Sequence, residues 1–180
     1  MMYRLILVCI IVGLATSCKT PEPRKPVSVK SGSFFDESIA RNKKLYETEK
    51  AQILDIIANA KEDEYVASEN GFWYAFQNKI ESDSLKTPRF GDIVNFNHNI
   101  SSLNGTVIYS KEELKTRDYA MDKEELFTGL REGLKLMKAG ETATFIFPSQ
   151  KAYGYYGDEN KIGTNTPIIS KVTVNSITQK

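Results

Sequence analysis

From residue 72 onward, apolar positions fall mostly at every second residue, the period of a β-strand with one buried face. Phe72, Tyr74 and Phe76 alternate with Trp73 and Ala75 after an Asn70-Gly71 turn, which predicts a strand with one side in the core. Val94, Phe96, His98 and Ile100 alternate with Asn95, Asn97 and Asn99, so His98 falls on the apolar face. Asn104-Gly105 supplies a hairpin turn between that strand and residues 106–110. Ala143, Phe145 and Phe147 alternate with Thr142, Thr144 and Ile146 up to Pro148, which cannot donate to a ladder. Ile168, Ser170, Val172 and Val174 share one face of a final strand, and Lys171, Thr173 and Asn175 the other.

The period becomes helical in two places. Ile39, Tyr46, Ile53, Ile57 and Ala60 form a stripe on a charged helix capped by Ser33 or Asp36 and ending near Asn59 or Ala60, with Asn42, Glu49 and Lys50 interrupting it. So narrow a seam suits either a solvated helix packed lightly on the domain or a rod that pairs with its copy in a weak homodimer. Leu126, Phe127, Leu130, Leu134 and Met137 predict a short helix beginning near Asp122 or 123–125 and ending before Gly140. Gly129 and Gly133 each cost it about 1 kcal/mol relative to Ala, so close packing on a sheet is expected. The charged stretch 111–118 reads as a solvated loop. The sum is an α+β class: a curved antiparallel sheet wrapped around a short helix and preceded by one N-terminal helix.

Composition narrows the function classes. Lys and Arg total 24 against 23 Asp and Glu, a formal charge of +1, which leaves no basic footprint for nucleic acid. Arg4 precedes an apolar run, residues 5–14, too short to span a bilayer. It breaks into Ala15-Thr16-Ser17-Cys18, which resembles a bacterial lipobox and implies that Cys18 becomes the lipidated first residue. Cys9 leaves with the signal, so neither thiol nor zinc chemistry is expected and the metal expectation is none. Pro21, Pro23 and Pro26 among Lys and Ser cannot bury a core and read as a tether. The expected organisation is a lipoprotein signal over 1–17, a tether over 18–33, a helix over 34–63 and a globular domain over 64–180. Such a chain is membrane-anchored in the cell envelope and faces the periplasm.

Aromatic and glycine residues concentrate in Lys151-Ala152-Tyr153-Gly154-Tyr155-Tyr156-Gly157, a site-bearing loop that feeds the last strand. Ala152-Tyr153-Gly154, together with Phe127-Thr128-Gly129-Leu130-Arg131-Glu132-Gly133-Leu134, Met137 and Gly140-Glu141, resembles the FKBP-type peptidyl-prolyl isomerases in order and spacing. Gly91-Asp92 and Asn104-Gly105 fit the start of that domain, and the resemblance runs from about Ser68 to Lys180. With the lipobox and the Tyr-Gly-Tyr-Tyr-Gly-Asp run, the chain looks like the gliding-motility-associated lipoprotein branch of the family.

That resemblance implies an FKBP-like fold and cofactor-free isomerisation of proline-containing client polypeptides. By position it implies a pocket lined by His98, Ile108, Leu126, Phe127, Leu130, Tyr153 and Ile162, with Tyr109 also against substrate. The Tyr153 hydroxyl and the Phe127 amide would donate to substrate carbonyls, and Leu130 would form the floor. His98 stands where a Tyr is usual, Ile108 where a Phe is, Tyr109 where an Asp is and Ser170 where another Phe is. The wall thereby loses a polar contact and aromatic area.

Two functions follow. One is a prolyl isomerase that assists folding of envelope or secreted proteins, gliding-motility components among them. The other is a peptide-binding or assembly module that keeps the concavity without turnover. His98, the sole histidine, has no second ligand at zinc-like spacing and reads as a pocket-wall imidazole hydrogen-bonded to a neighbour. Tyr155 and Tyr156 suit either pocket lips or loop packing, and Asp158, Glu159 and Lys161 read as a solvated turn.

Overall fold

The computed structural model describes residues 31–60, 63–82 and 84–180. Cys18, the signal and most of the tether lie outside those residues. The chain divides into two units, one ending at Ser38 and the other covering Ile39–Lys180. The described part of the first is the opening of helix α1 (Ser31–Asn59), where Phe34 and Phe35 are exposed.

In the second unit β1 (Val66–Ala67), β2 (Trp73–Asn78), β3 (Ile93–His98), β4 (Ile100–Ser102), β5 (Val107–Tyr109), β6 (Arg117–Ala120), β7 (Thr142–Phe147) and β8 (Ile168–Thr178) build one sheet. Its order is β1-β2-β7-β8-β3-β6, with β4 paired to β5 and β8, and every pairing is antiparallel. The hairpin falls at Asn104-Gly105, where the Ser102 N–H donates to the Thr106 carbonyl at 2.9 Å. Between β3 and β4, Asn99 keeps register with Lys171: its N–H donates to the Lys171 carbonyl at 3.3 Å, and its side chain and carbonyl accept bonds from the Lys171 N–H and the Ser170 hydroxyl at 2.9 and 2.7 Å. Ser170 is therefore a buried ladder residue whose hydroxyl ties β8 to the β3–β4 junction.

One face of the sheet carries the main core, in which Phe72, Phe96, Phe145, Phe147 and Val172 pack against Leu130 and Leu134 of helix α3 (Thr128–Leu134) and against Met137. Each such side chain contributes roughly 1.5–3 kcal/mol by burial. The opposite face is covered too, because Ile53 of α1 is buried with Trp73 and Ile146, with Ile56 and Ile57 beside them. Hence β2 buries both sides rather than the expected one. The seam of α1 also differs from the expected stripe: Ile39 is exposed and Glu49 is buried. Glu49, Ile53, Ile56 and Ile57 stand at helical spacing, so the carboxylate lies within the seam.

Residues 111–118 are not a loop. Ser110 Oγ accepts the Glu113 N–H at 3.2 Å and starts helix α2 (Lys111–Leu114), and β6 then pairs with β3. Charge on one face of β6 concealed a strand whose Tyr119 is wholly buried. The predicted helix over Leu126 to Met137 contracts to α3. Asp122 stands beside it and pairs with Arg131 and Lys135 at 3.5 and 3.1 Å.

Candidate functional site

Two local devices position the candidate site. The first is the approach of α3 to β7: a Cβ on Gly129 would sit 2.4 Å from Phe147 Cδ1, and one on Gly133 would sit 2.8 Å from Phe145 Cε1. Only hydrogen fits there, which is the close packing that two glycines in a short helix imply. Phe127 occupies the position before the first helical turn, at φ −61° and ψ 144°. Its ring meets Phe147 edge-on at 5.3 Å and Tyr153 at 5.1 Å.

The second device is the loop between β7 and β8. It opens with the 3-10 turn Ser149–Lys151, and Gly157 at φ +70° brings the backbone so near Ile162 that a Cβ would stand 2.1 Å from its carbonyl oxygen. One carboxylate oxygen of Asp158 accepts the N–H groups of Asn160 and Ile162 at 3.0 and 2.7 Å, and the other accepts the Tyr109 hydroxyl. Lys161 lies 4.7 Å over the Tyr109 ring and pairs with Glu113. Asp158 and Lys161 are thus anchors of the loop, not a solvated turn, and they hold Ile162 in the core at 3 % exposure. Burial pushes the Asp158 carboxyl up, but hydrogen bonds from Tyr109 and the backbone outweigh it and hold it below the usual carboxylate range. The Asp158-Glu159-Asn160 run carries the Asx-turn signal that could have revealed this.

Leu126, Phe127 and Tyr153, with Arg117, Glu124, Glu125 and Arg131, line a hollow of about 520 Å³, within the range of small-ligand sites. Leu130 is fully buried in the core against which Leu126, Phe127, Tyr153 and Ile108 pack. Among the described residues, nothing accepts a hydrogen bond from the Tyr153 hydroxyl, and the Phe127 N–H likewise donates to no group. Burial, then the nearby Asp158 carboxylate and Tyr109, push the Tyr153 hydroxyl up to about 12, so it stays a protonated donor.

His98 is outside this hollow. It lines a separate depression of about 340 Å³ with Val107 and Ser110. The ring is 7 % exposed and 5.3 Å from Phe96, and the buried Nδ1 has no partner among the described residues, so the expected hydrogen bond is missing at that atom. Burial, then the Arg117 charge, push its pKa down to about 4. Among the described residues no cluster of three His, Cys, Asp or Glu side chains could hold a metal. Tyr155 and Tyr156 are 69 % and 81 % exposed and meet edge to face at 5.3 Å. The charged rim from Arg117 and Arg131 escaped the sequence reading, which took the segment holding Arg117 for a loop.

The family model of FKBP-type peptidyl-prolyl cis-trans isomerases matches residues 85–175. A probable FKBP-type isomerase, FkpA, of Neisseria meningitidis serogroup B is 29 % identical over 114 residues, or 63 % of this chain; the chain spans 40 % of that relative's length. Among solved structures, a peptidyl-prolyl isomerase of Pseudomonas syringae pv. tomato superposes with a TM-score of 0.60 at 15 % identity, covering 76 % of this chain and 96 % of that one. FkpA of Escherichia coli gives 0.59 at 19 % identity, covering 98 % and 82 %. At these identities the structural likeness speaks for the fold.

Proposed function

This chain belongs to the FKBP-type peptidyl-prolyl isomerase family, and from that premise we propose that it accelerates cis–trans isomerisation at Xaa-Pro bonds of client polypeptides. The supporting observation is the pair of uncommitted donors, the Tyr153 hydroxyl and the Phe127 N–H, on two residues that line one hollow and pack against the core that holds Leu130. Rotation about an amide crosses about 18–20 kcal/mol and takes tens of seconds or longer at Xaa-Pro bonds. The twisted amide has lost resonance and charge separation. Desolvation against the Leu126, Phe127 and Tyr153 side of the hollow therefore disfavours the planar ground state more than the twisted transition state. A thousandfold acceleration requires roughly 4 kcal/mol, within reach of desolvation plus two directed hydrogen bonds. In this reading Leu126, Leu130, Ile108 and Ile162 shape the apolar wall, and Tyr109 fixes the loop through Asp158. His98 supports the sheet beneath.

The proposal extends to place and clients. The signal over 1–17 and Cys18 support a lipid-anchored, periplasm-facing protein in the cell envelope, acting on envelope or secreted polypeptides. Gliding-motility clients rest on the resemblance to that lipoprotein branch alone. NMR exchange on Xaa-Pro peptides tests the activity. Acceleration abolished by loss of the fold supports it, whereas a folded protein that binds the peptides without accelerating exchange would establish the non-catalytic module instead.

A further inference from the structure

A carboxylate on α1 reaches the turn that carries Tyr153. Glu49 is 3 % exposed, and its two oxygens both accept from Ser149, a hundred residues away: Oε1 from the hydroxyl at 2.6 Å and Oε2 from the N–H at 2.8 Å. Removing a carboxylate from water is costly unless its oxygens are hydrogen-bonded. For docking a helix alone, an apolar residue of similar volume would serve as well. The carboxylate therefore points to a directional role.

Ser149 passes that direction on. Its carbonyl accepts the N–H groups of Ala152 at 3.0 Å and Gly154 at 2.8 Å, the residues on either side of Tyr153. The Pro148 carbonyl adds bonds from Lys151 and Ala152 at 2.9 and 3.2 Å. Each polar group of Ser149 is thus committed, two to Glu49 and one to the turn. A tilt of Ser149 is transmitted through both bonds into the Tyr153 backbone.

Resting on the isomerase reading, we propose that Glu49 is a positioning residue for the reaction: from α1 it fixes Ser149, and through Ser149 it sets where the Tyr153 hydroxyl points in the hollow. Residue 49 precedes the segment 85–175 that the family model matches, so a helix outside that segment becomes a working part of the site.

The test uses the full chain with Glu49→Gln, which keeps the size but presents an amide N–H to one Ser149 donor, and with Ser149→Ala. Both should lower kcat on a saturating Xaa-Pro peptide, Glu49→Gln by roughly two- to tenfold, no more than removal of the Tyr153 hydroxyl itself would cost, with KM little changed. Hydrogen exchange at the Ala152 and Gly154 amides should speed up while α1 amides keep their protection. Ile53→Val trims the same seam without touching Ser149 and should leave kcat and both amides as in the wild type. An equal fall of kcat in Ile53→Val would reduce the effect to general loosening and overturn the proposal. Wild-type kcat in Glu49→Gln, alongside a slow Tyr153→Phe, would also overturn it while leaving the isomerase reading intact. If the wild type itself fails to accelerate exchange, the isomerase reading falls, and the two amides still decide whether Glu49 holds the turn. Should Glu49→Gln not fold, Ser149→Ala carries the same readouts.

Discussion

Gly129→Ala measures how tightly the candidate site is built. The added methyl would stand 2.4 Å from Phe147 Cδ1 and 2.7 Å from the Lys151 carbonyl oxygen, where carbon contacts settle near roughly 3.5 Å. Something must therefore move by about 1 Å, and the Lys151 carbonyl, being backbone, cannot rotate aside. Overpacking of this kind costs about 1–3 kcal/mol, and the backbone obstacle places Gly129 at the upper end. Against it stands a gain of about 1 kcal/mol in helix propensity. The net expectation is a protein about 2 kcal/mol less stable, read by chemical denaturation followed by circular dichroism. Gly133→Ala, which meets only the Phe145 ring at 2.8 Å, should lose less, because a ring can shift. Since Phe127 leads into α3, retreat of the helix also displaces its N–H, and peptide isomerisation should fall by roughly tenfold or more in the molecules that remain folded. A Gly129→Ala protein as stable as the wild type would refute the packing argument.

Tyr153→Phe removes one donor worth about 0.5–1.5 kcal/mol and should slow Xaa-Pro exchange by roughly two- to tenfold; an unchanged rate would reject Tyr153 as the donor. Because its hydroxyl is pushed up to about 12, this contribution should stay level from pH 6 to about 10. His98 lies below its ordinary 6.5, at about 4, so the folded state resists the proton. Stability should fall as the pH drops from about 6.5 to 4 and level off below, by roughly 3 kcal/mol at most. The carboxyls of Asp92 and Asp158 add losses at lower pH, so denaturation of His98→Phe beside the wild type isolates the imidazole part. Asp158→Ala strands the N–H groups of Asn160 and Ile162 and the Tyr109 hydroxyl, and exchange at the Ile162 amide should quicken while β7 stays protected. For the anchor, Cys18→Ser should lose lipid label and membrane partitioning; retention of both would contradict the lipobox.

The strands with clean alternation were legible, because one face of each meets a continuous core. Phe145 and Phe147 illustrate this in β7, and Val172 and Val174 in β8. What escaped was set by tertiary partners. The second buried side of β2 exists only because α1 covers it, and no period within residues 72–76 announces a helix some twenty residues earlier. Glu49 interrupted the stripe as long as carboxylates were counted as outward, whereas Ser149 supplies the two donors that admit it. The family resemblance picked out Phe127 and Tyr153, but the placement of His98 in a different depression was not legible, since it depends on the tertiary neighbours, Val107 and Ser110 among them, that surround it.

The position of β8 has a consequence for how the molecule comes into being. It lies between β7 and β3, and its pairings are what tie β1-β2-β7 to β3-β6. Because it also follows every other strand of the sheet in sequence, the two halves share no ladder until residues 168–178 are available. The sheet is dominated by long-range pairing, which is slow to form, so the chain commits to its fold only once β8 is available.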